Sequence, residues 1–140
     1  MQGINLAQIE RLRDYCFLTT QAPPHPLGNV RVVSLEGVTY EEVVAQADAV
    51  ITKPGYGIVS DCLVNRTPVL YTARGQFAEY DALVTGLERF GVAAFIGNND
   101  LLAGNWRDSL DLLLNLPRTW VDLPANGADV AAGILAEHLP

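Results

Sequence analysis

The chain has 140 residues and a net charge of −7, with 49% hydrophobic and 18% charged residues. This length suits one domain with a sizeable core. The negative charge disfavours nucleic acid and anionic membrane surfaces as partners, because both repel an acidic protein. No apolar run approaches the ~20 residues that a membrane span needs. The N-terminus has no signal-peptide core, so we expect a cytoplasmic protein.

Cysteine and histidine are too scarce to suggest metal or nucleophilic chemistry. Cys16 lies in a predicted strand and Cys62 on the apolar face of a predicted helix, so both are predicted to be reduced thiols in the core. His25 lies in a proline-rich loop and His138 near the C-terminus. We therefore predict no metal site and no Ser-His-Asp triad.

Helical and strand patterns alternate along the chain. Short apolar runs predict strands at residues 16–19, 30–33, 49–52, 69–71 and 92–96. Helical periodicity predicts helices that begin near Asn5, Thr39, Ile58, Tyr80, Trp106 and Asn126. The second helix has the clearest start, since Thr39 and Glu42 form a capping box and Val38 and Val43 have the spacing of a hydrophobic staple. Residues 98–100 are predicted to form a turn.

These elements predict an α/β fold, with a Rossmann-like, mainly parallel sheet and helices on both faces. Such sheets bind ligands beyond the carboxyl ends of their strands, here the loops at 34–39, 53–57 and 72–78. The chain opens on a helix, whereas a doubly wound domain begins with a central strand. We therefore predict that residues 1–140 are a single domain from a longer protein and lack its first strand. The resulting free sheet edge favours self-association, with a homodimer as one possible outcome.

The most informative stretch, DAVITKPGYGIVSDCLVNRTPVLY, covers residues 48–71. It predicts a buried central strand, a glycine-rich turn, a helix and a second buried strand. A glycine turn that leads into a helix presents free N–H groups and the positive end of the helix dipole, which suit a phosphate. The spacing is neither G-x-G-x-x-G nor a P-loop. An ordinary strand-to-helix connection is the alternative.

This stretch and the following TARGQFAEYDALVTGLERFGVA resemble the C-terminal, donor-binding half of GT-B glycosyltransferases. The resemblance is greatest to the N-acetylglucosaminyltransferase family that makes lipid II. The chain is also similar to the glycosyltransferase-like region fused to some sugar kinases. The resemblance covers roughly residues 30–94. In register, Lys53 stands where the family has arginine, Gly55 at its glycine, and Asp61 where it has glutamate.

The resemblance implies a set of ligand contacts. Donor diphosphate contacts fall on Lys53, Gly55, Tyr56 and Gly57; the ribose contact on Asp61; base contacts on Glu36 and Gly37; sugar contacts on Arg74, Gln76 and Glu79. A solvated surface charge is the alternative for Lys53 and Arg74, and a charge at a helix start is the alternative for Asp61 and Glu79. Phe77 and Ala78 lie about where the family has paired glutamines, so the resemblance does not specify the sugar. The proline loop at 21–28 replaces a helix of the family.

The implied function is the donor-binding half of an inverting glycosyltransferase, which moves a hexosyl group from a nucleotide diphosphate sugar to an acceptor hydroxyl. The general base and acceptor site would belong to a missing N-terminal half domain. Alone, the chain is expected to bind a nucleotide sugar without transferring it, and no catalytic residue is assigned. The resemblance implies no cofactor held by this domain, since the nucleotide sugar is a substrate. One alternative is a non-catalytic regulatory or interaction domain. Another is half of a nucleotide-sugar epimerase, which the scarcity of histidine disfavours.

Overall fold

The computed structural model describes residues 3–138. The elements in chain order are α1 (Leu6–Ile9), β1 (Phe17–Thr19), β2 (Val30–Val32), α2 (Tyr40–Ala45), β3 (Val50–Thr52), α3 (Tyr56–Val64), β4 (Val69–Tyr71), α4 (Tyr80–Phe90), β5 (Ala93–Phe95), α5 (Asn98–Ala103), α6 (Arg107–Asn115) and α7 (Gly127–His138). The alternation of strands and helices is the one predicted. The fold is α/β and Rossmann-like.

The described strands form two parallel sheets. The first contains β1 and β2, with Phe17 beside Val30. The second has the order β3-β4-β5, with Val69 lying between Val50 and Ala93. β1 and β2 are connected by the proline-rich loop, which contains no helix. The parallel arrangement is confirmed, but the strands are divided between two sheets.

Helices cover both faces of the larger sheet. On one face Leu70 of β4 packs in a core with residues of α1 and α6, including Ile9 and Leu113. On the other face its neighbours Val69 and Tyr71 pack in a second core with residues of α2, α3 and α4. Successive strand residues point to opposite faces, so a fully apolar strand such as β4 needs both cores. All three of its residues are buried.

The predicted capping box is present at the start of α2. The Thr39 hydroxyl oxygen accepts a hydrogen bond from the Glu42 backbone N–H at 3.2 Å. In return, the Glu42 carboxylate accepts one from the Thr39 N–H at 2.7 Å. Two N–H groups without an intrahelical acceptor are thereby satisfied, which fixes where α2 begins.

Three local predictions were wrong. Residues 98–100 are not a turn but the first residues of α5, which ends at Gly104 in the left-handed conformation, with φ +79. Cys16 is exposed, because β1 begins one residue after it, whereas Cys62 is buried as predicted. β3 was predicted to be a buried central strand, but it is half-buried, since it lies at the edge of its sheet and β4 takes the centre.

The last helix, α7, contains no buried residue. Its apolar side chains are largely exposed, with Val130 at 52%, Ile134 at 55% and Leu135 at 64%. Among residues 3–138, no helix combines the length and apolar character needed to cross a membrane.

Candidate functional site

The turn between β3 and α3 leaves a helix N-terminus open. Gly55 is the N-cap residue, in an extended conformation with φ −152, and no side chain caps the helix. The first N–H groups of a helix have no intrahelical acceptor. At α3 these groups therefore remain available to an external acceptor, and the helix dipole makes that position favourable for an anion.

Arg74 brings a positive charge to this turn from the loop after β4. Its Nη1 donates a hydrogen bond of 2.7 Å to the carbonyl oxygen of Pro54. Its guanidinium carbon lies 3.9 Å from the centre of the Phe77 ring, in cation–π geometry. A Cβ atom placed on Gly55 would lie 2.9 Å from the same Nη1. The loops at 53–57 and 72–78 thus meet beside the start of α3.

Asp61 lies further along α3 and is half-buried. Its pKa is raised above its ordinary value, first by burial and second by the negative charge of Glu41 on α2. Its backbone carbonyl accepts hydrogen bonds from the N–H of Asn65 at 3.0 Å and from the Asn65 side-chain amide at 2.9 Å. Among residues 3–138 no side chain donates a hydrogen bond to its carboxylate. A ligand hydroxyl that donated one would stabilise the ionised form.

The other residues predicted to contact the donor lie at the surface or at a helix start. The side chains of Lys53, Tyr56 and Gln76 are exposed. Glu79 is the N-cap residue of α4, where its backbone carbonyl accepts a hydrogen bond from Leu83 and its side chain does not cap the helix.

The predicted base-binding residues, Glu36 and Gly37, lie in the exposed loop before α2. The Glu36 N–H donates to the Ser34 hydroxyl oxygen at 3.2 Å, and Gly37 has φ +78. Within the described residues, no hydrogen bond joins this loop to the α3 turn. Arg74 therefore joins the proposed diphosphate loop to the proposed sugar loop by a hydrogen bond, whereas the described residues show no such bond to the proposed base loop.

Sequence reasoning assigned no role to two groups near this edge of the sheet. Phe77 provides the ring on which Arg74 stacks. Thr72 is fully buried and donates a 2.6 Å hydrogen bond to the side-chain oxygen of Asn98, which ties the end of β4 to the start of α5. The sequence signal for Thr72 was its position directly after a buried strand, where a polar side chain needs a partner.

A surface cavity lies elsewhere, between α1 and the segment that joins α5 to α6. It has a volume of about 520 Å³ and is lined by residues that include Arg11, Asp100, Trp106 and Arg107. None of the predicted donor-site residues lines it. Within residues 3–138, no group of three or more histidine, cysteine or acidic side chains is placed to hold a metal ion.

Comparison with known proteins links the chain to a sugar kinase. It is 31% identical over 96 residues to L-arabinokinase from Arabidopsis thaliana. The similar region covers 69% of this chain but only 9% of the length of that kinase. No protein-family profile matches the chain, and no solved structure shows a significant match. The similarity therefore provides a distant connection to sugar metabolism.

Proposed function

We propose that this chain is the nucleotide-sugar-binding half of an inverting glycosyltransferase. The observation that carries the proposal is the position of Arg74 against the turn that precedes α3. A diphosphate at this turn would accept hydrogen bonds from the free N–H groups of the helix and face a guanidinium cation. Arg74 uses one of its five N–H donors on Pro54, which leaves donors for a phosphate oxygen.

The environment of Asp61 supports ribose binding. The carboxylate is destabilised by partial burial and by Glu41, and it has no hydrogen-bond donor among the described side chains. A ribose diol offers two hydroxyl donors to such a carboxylate. In this arrangement the diphosphate lies at the start of α3, with Lys53 near the turn and the ribose further along the helix.

The transferred sugar is assigned to Gln76 and Glu79, which follow Arg74 in the loop and at the start of α4. The base is assigned to Glu36 and Gly37, whose loop lies before α2. The connection of this chain to a sugar kinase supports a sugar-containing ligand. It also agrees with the resemblance to the glycosyltransferase-like region of some sugar kinases.

The contribution to catalysis would be electrostatic. When the glycosidic bond breaks, negative charge develops on the leaving diphosphate, and Arg74 together with the helix N–H groups would stabilise it. The acceptor hydroxyl and its general base belong in this proposal to another domain, so transfer requires the longer protein.

A non-catalytic interaction domain is the second candidate. The half-buried edge strand β3 favours it, because a free sheet edge beside the proposed site is a surface for polypeptide contacts. Such a domain would keep the fold without specific nucleotide affinity.

Calorimetric titration of the 140-residue chain with UDP, UDP-N-acetylglucosamine and a GDP-sugar separates these candidates. We expect one nucleotide series to bind, and Arg74→Ala to weaken its affinity about tenfold or more, since a charged hydrogen-bond donor is lost. Arg89→Ala is the matched control, because Arg89 also stacks on a phenylalanine, Phe90, but lies at the far end of α4. The proposal would be contradicted if Arg74→Ala and the wild-type chain bound the nucleotide with equal affinity. It would also be contradicted if the folded wild-type chain bound none of the three ligands.

A further inference from the structure

Arg74 is held beside the turn by groups that do not neutralise its charge. Its exposed side chain donates a hydrogen bond to the Pro54 carbonyl oxygen, and its guanidinium carbon lies 3.9 Å from the centre of the Phe77 ring. Within the part of the chain that the structure describes, the ion pairs involve two other arginines, and no carboxylate pairs with Arg74. A carbonyl oxygen and an aromatic ring both attract a cation, but neither carries a net charge. The positive charge of Arg74 therefore remains available to an anion.

The Phe77 ring is held by the core and by its own backbone. The half-buried ring packs against the second core, which contains Val59 of α3 and Leu83 of α4. The Phe77 N–H donates a hydrogen bond to the Gly75 carbonyl at 3.0 Å, and its carbonyl accepts one from the Tyr80 N–H at 3.0 Å. Gly75 has φ +70, a conformation that glycine adopts without strain. The ring therefore provides a fixed surface for the long arginine side chain.

The two contacts restrict an otherwise flexible side chain. An arginine has many rotamers, and a ligand that holds it must offset the lost conformational entropy. The Pro54 carbonyl and the Phe77 ring already confine the guanidinium in the free protein. A binding group that is fixed before the ligand arrives gives a higher affinity than a flexible one. Phe77 should thus increase the affinity of Arg74 for an anion without touching the anion.

We propose that Phe77 is a positioning residue of the donor site, which holds the Arg74 guanidinium beside the start of α3 for the donor diphosphate. This inference rests on the proposed function, because it concerns how the same site binds its diphosphate. The ring acts through Arg74 and does not contact the ligand. It contributes to the affinity for ligands that carry phosphate groups and not to recognition of the sugar or the base.

Direct stacking of the transferred sugar on Phe77 is the alternative role for an aromatic residue at this position. The geometry disfavours this role, because the guanidinium lies over the ring and the ring also packs against the second core. A sugar that stacked on the face covered by Arg74 would displace the cation from the turn.

NMR of the 140-residue chain, titrated with pyrophosphate, tests the positioning role. Pyrophosphate carries the diphosphate charge without a base or a sugar, so the result does not depend on which nucleotide binds. In the free chain we expect the Arg74 Nε–H proton to resonate upfield of that of an unstacked arginine, because the guanidinium lies over an aromatic ring. Phe77→Leu should remove this shift and weaken pyrophosphate binding about two- to fivefold. Phe77→Tyr keeps an aromatic ring and should retain both.

The Arg74→Ala background separates positioning from packing. In that background the residue that Phe77 positions is absent, so Phe77→Leu should cause no further loss of pyrophosphate affinity. A substitution that only disturbed the loop would weaken binding equally in both backgrounds. If Phe77→Leu does not fold, Phe77→Met takes its place in both backgrounds, because its flexible thioether fills irregular space without an aromatic face.

Phe90→Leu is the matched control. Phe90 lies under Arg89 at the far end of α4, with the guanidinium carbon 4.9 Å from the centre of the ring. This substitution removes the same kind of contact away from the turn and should leave pyrophosphate affinity unchanged.

Three results would overturn the positioning role. The first is an unshifted Arg74 signal in the free chain. The second is equal pyrophosphate affinity of Phe77→Leu and the wild-type chain when Arg74→Ala weakens binding, a result that would leave the proposed function standing. The third is the same loss from Phe77→Leu with and without Arg74, which would indicate direct contact of the ring with the ligand or a general effect on the loop.

Failure of the proposed function has a different signature. If pyrophosphate binds with the expected coupling of Arg74 and Phe77 but no nucleotide binds, the positioning role holds for an anion site and the donor-binding function is wrong. If the folded chain binds neither pyrophosphate nor any nucleotide, both are wrong.

Discussion

The guanidinium of Arg74 donates a hydrogen bond to the carbonyl oxygen of Pro54 and lies where a side chain on Gly55 would begin. The Pro54 side chain is fully buried, so the carbonyl that receives this bond is held in place by the core. The absence of a Cβ on Gly55 therefore lets a cation approach the start of α3.

Gly55→Ala should weaken anion binding without unfolding the protein. The extended φ of −152 is open to any residue, and the nearest obstacle is the flexible tip of Arg74, at 2.9 Å. We expect a change of about 0.5 kcal/mol or less in the free energy of unfolding. Binding of UDP or pyrophosphate should weaken because Arg74 is displaced. Urea denaturation and calorimetry measure the two effects.

Gly57→Ala is the control for this substitution. No atom lies within 4 Å of a Cβ at Gly57, and the residue is in the first turn of α3, so alanine should stabilise the protein by about 0.5–1 kcal/mol. If Gly55→Ala lowered the free energy of unfolding by more than about 2 kcal/mol, the residues around position 55 would be unable to adjust to the added methyl group.

Asp61→Asn should raise Tm at neutral pH and weaken nucleotide binding. Its pKa lies above the ordinary value of 3.8, because burial and Glu41 disfavour the charged form. A carboxyl group whose pKa is raised in the folded state does not lower the free energy of unfolding at a pH below its unfolded-state pKa. As the pH rises from that value through the folded-state pKa, the group loses its proton and the free energy of unfolding falls. The difference in Tm should therefore shrink in acid and vanish below about pH 3.8. A difference that grew in acid, measured by calorimetric scans across this range, would contradict the assignment.

The two cysteines should react at very different rates. Cys16 is exposed, whereas Cys62 is fully buried, and burial raises the pKa of its thiol to about 12. Because the thiolate is the reactive form, Ellman's reagent at about pH 8 should modify one thiol per native chain and both after denaturation. The native Cys16→Ser variant should contain no thiol that reacts rapidly with the reagent. Rapid reaction of both in the native chain would show that α3 is not packed as described.

Leu70→Ala should strongly destabilise the protein. Leu70 is fully buried in the middle of β4, and removal of such a side chain leaves a cavity that costs about 2–5 kcal/mol. Leu135→Ala on α7 is the control, since Leu135 is 64% exposed and should change stability by about 0.5 kcal/mol or less. Similar denaturant midpoints for the two variants would contradict this placement of the core.

Local sequence patterns predicted most of the fold because they act over a few residues. The Thr39–Glu42 capping box needs only its own turn, and the apolar run at 69–71 is long enough to indicate a strand covered on both faces. The pairing of β3 was not predictable in the same way. Its sequence is as apolar as that of a central strand, but a central position also requires a neighbour, and no local pattern specifies one.

The candidate site was predictable in part for the same reason. The parallel arrangement predicts that the loops after β3 and β4 lie at one edge of the sheet. The contact of Arg74 with Pro54 spans twenty positions and depends on the conformation of both loops. The asparagines at positions 98 and 99 suggested a turn, but the first of them supplies the acceptor for the buried Thr72 hydroxyl and begins a helix.

The exposed helix α7 should have a lower local stability than the rest of the molecule. It has twelve residues and buries none of them, and a helix of this length is only marginally stable in water by itself. Unfolding α7 leaves both cores intact, so its amides should exchange through fraying that costs far less than global unfolding. A protease that cuts within residues 124–138 would therefore remove the helix and leave the two sheets folded.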